Sequence, residues 1–464
     1  MALAARNERA FRMKDRDARL IRIVIYIIIA VGGFFGMVRY SMRDIPNDPA
    51  TIHPPTTEEQ PEMSPEEKAE VSKAVAVYQQ KGGPLFPLEE DYGKWTITFS
   101  GDSNTPEESE RPKPVFEGNV SDLKSTVVVA TLEAPLPKGS NTVWCSSFVA
   151  CWKSLADELT QGPPKLVGAP AMATRLNAAT DARKEIPPEN LYTAAGWVNK
   201  GIGAEIRKGL KEKFPQKTPP RFDGLSPDSV VAYAYLEAKI KFAIPYEKAK
   251  TPLVFTPSQG KGSDVDSFGI AHGSDSLFLR DQPAVLYMEP DEKSLQPKEC
   301  AIDLDRGSEL QVVVALTPPG TTLAETVATV EKKIALAASK DKTKRPGLKD
   351  ADALRVPVTA WRVMRRFTEL EGRGIENAPA MPEAEIQLAQ QDIFFRLDRS
   401  GAEVYSESFT VVASANGHGP TPRPVYYIFD KPFLVYMKAR GAKQPFFVMW
   451  VDNPELLNKW TAKK

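Results

Sequence analysis

Residues 429–437 read FDKPFLVYM, and residues 445–454 read PFFVMWVDNP. Both stretches are dense in aromatic and aliphatic side chains and carry Pro or Asn at their borders, the composition of buried strands rather than helices. The first strand is expected over 426–437 and the second over 446–451. Upstream, IFFRL at 393–397, LQVVVAL at 310–316 and TVVVAT at 126–131 have the same signature. Residues 322–338 have helical spacing, 144–159 read as a buried helix, and 230–244 mix aromatics with aliphatics. Strands and helices are interspersed, with no internal repeat and no regular βαβ alternation. The expected fold class is α+β with largely antiparallel sheets.

Composition narrows the function classes. The 464 residues hold 60 Lys+Arg and 60 Asp+Glu, a net charge of zero. That balance removes the electrostatic case for nucleic-acid binding. Apolar residues at 42% and charged residues at 26% are ordinary globular usage, so disorder throughout is excluded. Three Cys cannot frame a disulfide scaffold, and three His leave little for a metal or catalytic site. Proline is the outlier: 40 of 464 residues, near 9%, against an ordinary value of about 5%.

The N-terminal region has its own logic. Residues 23–38, IVIYIIIAVGGFFGMV, carry no charge; with Leu20, Ile21 and a snorkelling Arg22 they approach the roughly 20 residues that span a bilayer. Seven basic residues (Arg6, Arg9, Arg12, Lys14, Arg16, Arg19, Arg22) stand against Glu8, Asp15 and Asp17 on the preceding side. The positive-inside rule then puts residues 1–19 in the cytoplasm as a basic tail, 20–39 across the membrane and the main body outside the cytoplasm. A cleaved signal peptide fits less well, because 38–42 (VRYSM) makes a poor cleavage site. Gly32 and Gly36 form a small-xxx-small pair through which two such helices could approach as a homodimer. Residues 40–124 are expected to form a Pro-rich spacer with a short helix capped by Ser64 and a strand at 95–99. A tail follows at 458–464.

No catalytic constellation assembles. Gly101-Asp102-Ser103-Asn104 resembles the first block of GDS-type hydrolases, but none of His53, His272 or His418 follows an Asp by three residues. The spacing from Gly196 to Gly201 resembles a phosphate loop, yet Ile202 stands where a Lys is required. Cys145 and Cys151 are expected on different faces of one helix, and Cys300 is single, so buried structural thiols are the reading. No metal site, no cofactor and no enzyme is expected.

The two C-terminal strands resemble the last two strands of the serpins, the serine protease inhibitor family, on Phe429, Pro432, Phe433, Asn453 and Pro454. Residues 391–403, QDIFFRLDRSGAE, are similar to the serpin central-sheet strand running into its hinge. NTVWCSS at 141–147, headed by Asn141, is similar to the start of the family's buried second helix. GWVNK at 196–200, with Trp197, resembles a further helix, and 231–246 resemble a third segment. These collinear matches define a serpin-like domain over 125–457.

The resemblance implies suicide inhibition of a serine or cysteine protease. A reactive loop, here from 401 to about 426, is cut, and its N-terminal part inserts into the central sheet while the protease remains acyl-linked. Gly401, Ala402, Glu403 and Val404 would form the hinge, with Ala415-Asn416 as the scissile bond within a window of 412–419. A small residue such as Ala415 would suit elastase- or subtilisin-like proteases. From Ala402, alternate residues Val404, Ser406, Ser408, Thr410 and Val412 are all small or β-branched, which permits strand insertion.

Departures from the family pattern point toward a static body. The hinge lacks a run of alanines and holds Tyr405 and Glu407. The family's Ser-Pro becomes Cys145-Ser146, and its second helix serine falls on Phe148. The tryptophan where the loop first enters falls on Ile240, and the hinge-strand glutamate on Arg399. The alternative is therefore a non-inhibitory serpin-like binding or structural subunit of a membrane-associated assembly. The expected partners are the bilayer, through 20–39, and a protein, either a protease or a membrane subunit.

Overall fold

The computed structural model describes residues 111–160, 162–222, 225–274, 277–340, 347–403 and 423–461. The expected span at 20–39, the helix from Ser64, the strand at 95–99, Ser103, Val404 and the Ala415-Asn416 bond lie outside the described residues. Among the described residues no helix is long and apolar enough to cross a membrane.

The chain begins with β1 (Glu117–Asn119), β2 (Thr126–Val129) and β3 (Asn141–Cys145), then α1 (Ser147–Leu159) and α2 (Ala171–Ala178). A hairpin of β4 (Leu191–Trp197) and β5 (Val230–Leu236) encloses α3 (Ile202–Lys213). Short strands β6 (Ile240–Lys241), β7 (Glu247–Lys248), β8 (Leu253–Phe255), β9 (Ser263–Val265) and β10 (Ser267–Ile270) precede α4 (Leu277–Asp281). Next come β11 (Ala284–Glu289), β12 (Glu299–Asp303), β13 (Leu310–Leu316) and α5 (Leu323–Lys340). The remaining strands are β14 (Ala353–Pro357), β15 (Thr359–Arg366), β16 (Gln390–Asp398), β17 (Gly401–Glu403), β18 (Tyr426–Ile428), β19 (Phe433–Ala439) and β20 (Phe447–Val451).

These strands form a seven-stranded sheet in the order β11-β12-β13-β19-β20-β3-β2, a five-stranded sheet β1-β15-β16-β17-β6 and a four-stranded sheet β18-β14-β10-β7. Parallel pairing joins β1 to β15, β2 to β3 and β14 to β18; the other strand pairs are antiparallel. The mixed α+β architecture with mainly antiparallel sheets is the one the strand signatures indicate.

The seven-stranded sheet is buried on both faces, which explains why LQVVVAL has no polar alternation. Val312, Val314, Val435, Met437 and Met449 share a core with Trp361, Ile393 and Phe395 of the five-stranded sheet. Their neighbours Val313, Ala315, Leu434, Val448 and Trp450 pack instead with Phe148 and Trp152 of α1 and with Val327 and Val330 of α5. The two sheets meet face to face, with Phe395 stacked on Phe447 at a centroid separation of 4.4 Å.

Four boundaries differ from expectation. Asn141 to Cys145 form a strand rather than the start of a helix, because β2 and β20 pair with both edges and all five side chains are buried. The helix therefore starts at Ser147 instead of Trp144, and Cys145 and Cys151 sit on different elements. Trp197 ends a strand, paired with Val230, rather than standing in a helix. A single 3-10 turn and Gly201, at φ 88°, then redirect the chain into α3. Finally, the strand expected over 426–437 breaks at Pro432, which has no N–H for a ladder. Its halves, β18 and β19, belong to different sheets.

Candidate functional site: a hinge strand between two strands of a sheet

The site is built on β16, which alternates up to Phe395 and is buried on both faces beyond it: Ile393, Phe395 and Leu397 enter the core, Phe394 is 42% exposed, and Arg396 and Asp398 are buried. After the turn at Arg399-Ser400 the chain reverses, and β17 pairs back on β16 with Leu397 opposite Ala402 and Asp398 opposite Gly401. On its other edge β17 pairs with β6, Gly401 opposite Lys241 and Ala402 opposite Ile240. The first residues of the segment 401–426 thus lie between two strands of the sheet. Directly opposed residues share a face, so Ala402 joins Leu397 and Ile240 in the core. Gly401 is dictated by close approach: a Cβ there would lie 2.0 Å from the carbonyl oxygen of Ile240.

The turn itself is tightly held. Phe242 N donates to Ser400 O at 2.9 Å, Tyr246 N to Arg399 O at 2.7 Å, and Arg399 Nε to Tyr246 O at 2.9 Å. The buried Asp398 carboxylate accepts the Ser400 N–H at 2.7 Å through Oδ1.

Beyond Glu403 the lane changes character. Upstream of Arg396, the edge of β16 facing away from β15 has no paired strand among the described residues. The strand preceding β6 in the chain, β5, pairs with β4 and with no other strand among the described residues. Beneath β5 runs α1, where the Cys151 thiol reaches Ala232 O at 3.3 Å. Gln391 Nε2 donates to Cys145 O and Ser147 Oγ, each at 2.9 Å, while its Oε1 and the hydroxyl of Ser146 are buried without a partner among the described residues. Above β5, Lys217 sits 4.8 Å from the Tyr235 ring centroid. Burial lowers the Lys217 pKa, and the Asp392 charge on β16 opposes that shift. Burial pushes the Tyr233 phenol up to about 12, with Asp392 adding to it.

The far end of segment 401–426 is anchored elsewhere. Arg423 donates to Glu292 O and Ser294 O, both at 3.2 Å, and Val425 N donates to Asp352 Oδ1 at 2.8 Å. From there β18 runs parallel to β14 in the four-stranded sheet.

The sequence-selected residues separate into two groups. Asn141 and Asn453 meet in the core: Asn141 Nδ2 donates to Asn453 Oδ1 at 3.0 Å, and Asn141 Oδ1 accepts from Asp452 N at 2.9 Å and Asn453 N at 3.1 Å. Asn453 Nδ2 continues the network to Ser125 O and Gly139 O, and Pro454 opens the 3-10 turn that follows. Phe429 and Phe433 pack edge to face at 5.5 Å on either side of the half-buried Pro432. Trp197 lies apart from all of these, with Lys200 over its ring at 5.4 Å. Gly401, Ala402 and Glu403 form β17.

Other reactive groups are inert or isolated. Burial pushes the Cys151 and Cys300 thiols up to about 12 and raises Cys145 as well. No group of three potential metal ligands occurs among the described residues. His272 is exposed, its Nδ1 2.9 Å from Ala351 O. Sequence reasoning missed Arg111, which reaches Asp398 from 287 positions away; no motif signals such a pairing.

No family model and no curated protein matches the chain. Among solved structures it is similar to thyroxine-binding globulin in complex with thyroxine, at 13% identity and a TM-score of 0.40, over 68% of this chain and 93% of that one. It is also similar to a highly specific serpin of the insect Tenebrio molitor, at 15% identity and a TM-score of 0.36, over 68% and 92% of the two chains. Human glycosylated kallistatin is similar at 12% identity and a TM-score of 0.38, over 68% and 92%. These neighbours are serpins.

Proposed function

We propose that this protein is a serpin-like inhibitor that acts by strand insertion on a serine or cysteine protease. The observation that carries the reading is β17, lodged between β16 and β6 at the head of a lane along a β16 edge that has no further paired strand among the described residues. Continuing the Leu397–Ala402 register puts residue 404 opposite Phe395, 406 opposite Ile393 and 408 opposite Gln391. Val404, Ser406 and Ser408 would then face the core on the side of Ala402, and Tyr405 and Glu407 would face solvent. Small side chains fall on the inward positions, as the packing requires. Cleavage near Ala415-Asn416 would free the segment to fill the lane, exchanging solvated backbone groups for two ladders of hydrogen bonds. The chain would work by binding and trapping rather than by turnover, and residues 20–39 would tether it to a membrane with the body outside the cytoplasm.

A second reading, a non-inhibitory binding or structural subunit, has its own support. Lys217 sits over the Tyr235 ring, and Tyr235 OH donates to Glu237, so this face of β5 already has settled contacts of its own. The test is to incubate the full-length protein with a panel of serine and cysteine proteases and resolve the products on a denaturing gel. Inhibition gives a covalent band at the summed mass, lost in Ala402→Arg. Cleavage without that band for any protease supports the subunit.

A further inference from the structure

The chain enters the described body beside the hinge. Arg111 Nε donates to Asp398 Oδ2 at 2.9 Å, and its Nη2 lies 2.8 Å from the same oxygen. The pair is secluded: the side chains are 11% and 3% exposed. Asp398 is divided between two tasks, since its Oδ1 accepts the Ser400 N–H that closes the turn into β17. Arg111 is also not on a loose tail. Lys113 O accepts from Asn458 Nδ2 at 3.2 Å, Val115 N donates to Ala360 O at 2.8 Å, and β1 then pairs with β15. The guanidinium is therefore delivered to the hinge turn by backbone stitched along the edge of the same sheet.

We infer that Arg111 is a positioning residue for the hinge: its ion pair fixes Asp398, Asp398 fixes the turn, and the turn holds Gly401 to Glu403 between β16 and β6. This rests on the insertion reading for its functional meaning and adds to it a coupling. The edge backbone that carries Arg111 sets how firmly the hinge sits in the sheet. Removing Arg111 strands a carboxylate in a nearly dry site, which is far more disruptive than losing an exposed ion pair. The carboxylate relaxes by turning toward water, and the Ser400 cap goes with it.

The experiment is amide hydrogen exchange on the full-length protein and its Arg111→Gln and Arg111→Lys variants. In Arg111→Gln the amides of Gly401, Ala402 and Glu403 should exchange roughly tenfold faster or more, with the amides of β19 and β20 unchanged as the control for global folding. Arg111→Lys, which keeps one charged donor, should fall between. Unchanged exchange at 401–403 in Arg111→Gln overturns the assignment. If that variant fails to fold, Asp398→Asn serves instead: it keeps a Ser400 acceptor but loses the charge, and exchange at the wild-type rate again overturns it. Covalent trapping by the wild type is scored separately. A hinge that loosens in a protein that traps no protease leaves the positioning role standing and removes the inhibitor reading.

Discussion

The seven-stranded sheet and the five-stranded sheet use similar residues to opposite ends. In the first, β13, β19 and β20 are paired on both edges and covered on both faces, so nothing can be added. In the second, β16 is paired along its length on the β15 side, but among the described residues its other edge is paired at its end alone, by β17. The contrast separates a base that fixes the fold from the margin that the proposed insertion would use.

The strongest way to break that contrast is to damage the base. Trp450 is buried between Leu434 and Thr142 of the neighbouring strands. Trp450→Ala should lower stability by about 3–5 kcal/mol, read by urea denaturation. Asn141→Ala comes next: it removes the acceptor of Asp452 N and Asn453 N, while Asn453 Oδ1 keeps the Glu455 N–H, and should cost about 1–3 kcal/mol. The same substitution should leave hydrogen exchange in β17 unchanged, since the network lies in the base.

A smaller effect tests a carboxylate where β12 turns toward β13. Burial pushes the Asp305 carboxyl up to about 6. Because the folded state then holds the proton more tightly than the unfolded chain, this group's contribution is complete below about pH 4 and is lost as pH rises through 6. Asp305→Asn should flatten that part of the stability profile, and an unchanged slope would show that Asp305 is not its source. The smallest effect belongs to the open margin. Phe394→Ser should lower stability by about 0.5–1 kcal/mol, because the ring is 42% exposed and has the Arg396 guanidinium 5.8 Å from its centroid.

Much of the base was legible in the sequence. The runs at 310–316 and 446–451 are too apolar and too β-branched or aromatic to be surface, and their lengths suit strands. Gly401 was legible too, since a glycine marks where a chain must pass close to its neighbours, here the Ile240 carbonyl. What escaped was non-local. NTVWC followed by SSFVACW looks like one buried element until β20 is present to pair with the first half. Trp197 looks helical beside Val198-Asn199 until β5 claims it. Arg111 and Asp398 are ordinary surface residue types, and only folding brings them together. An unpaired strand edge leaves no trace in composition at all.

The central claim is that the lane beside β16 accepts the segment following Glu403. The most direct measurement is the thermal midpoint of the protein before and after a single proteolytic cut between 404 and 422. Insertion requires a large rise after cleavage, together with slowed amide exchange along β16 from Gln390 to Phe395. An unchanged midpoint with unaltered exchange in β16 would contradict it and leave a rigid body carrying a passive loop.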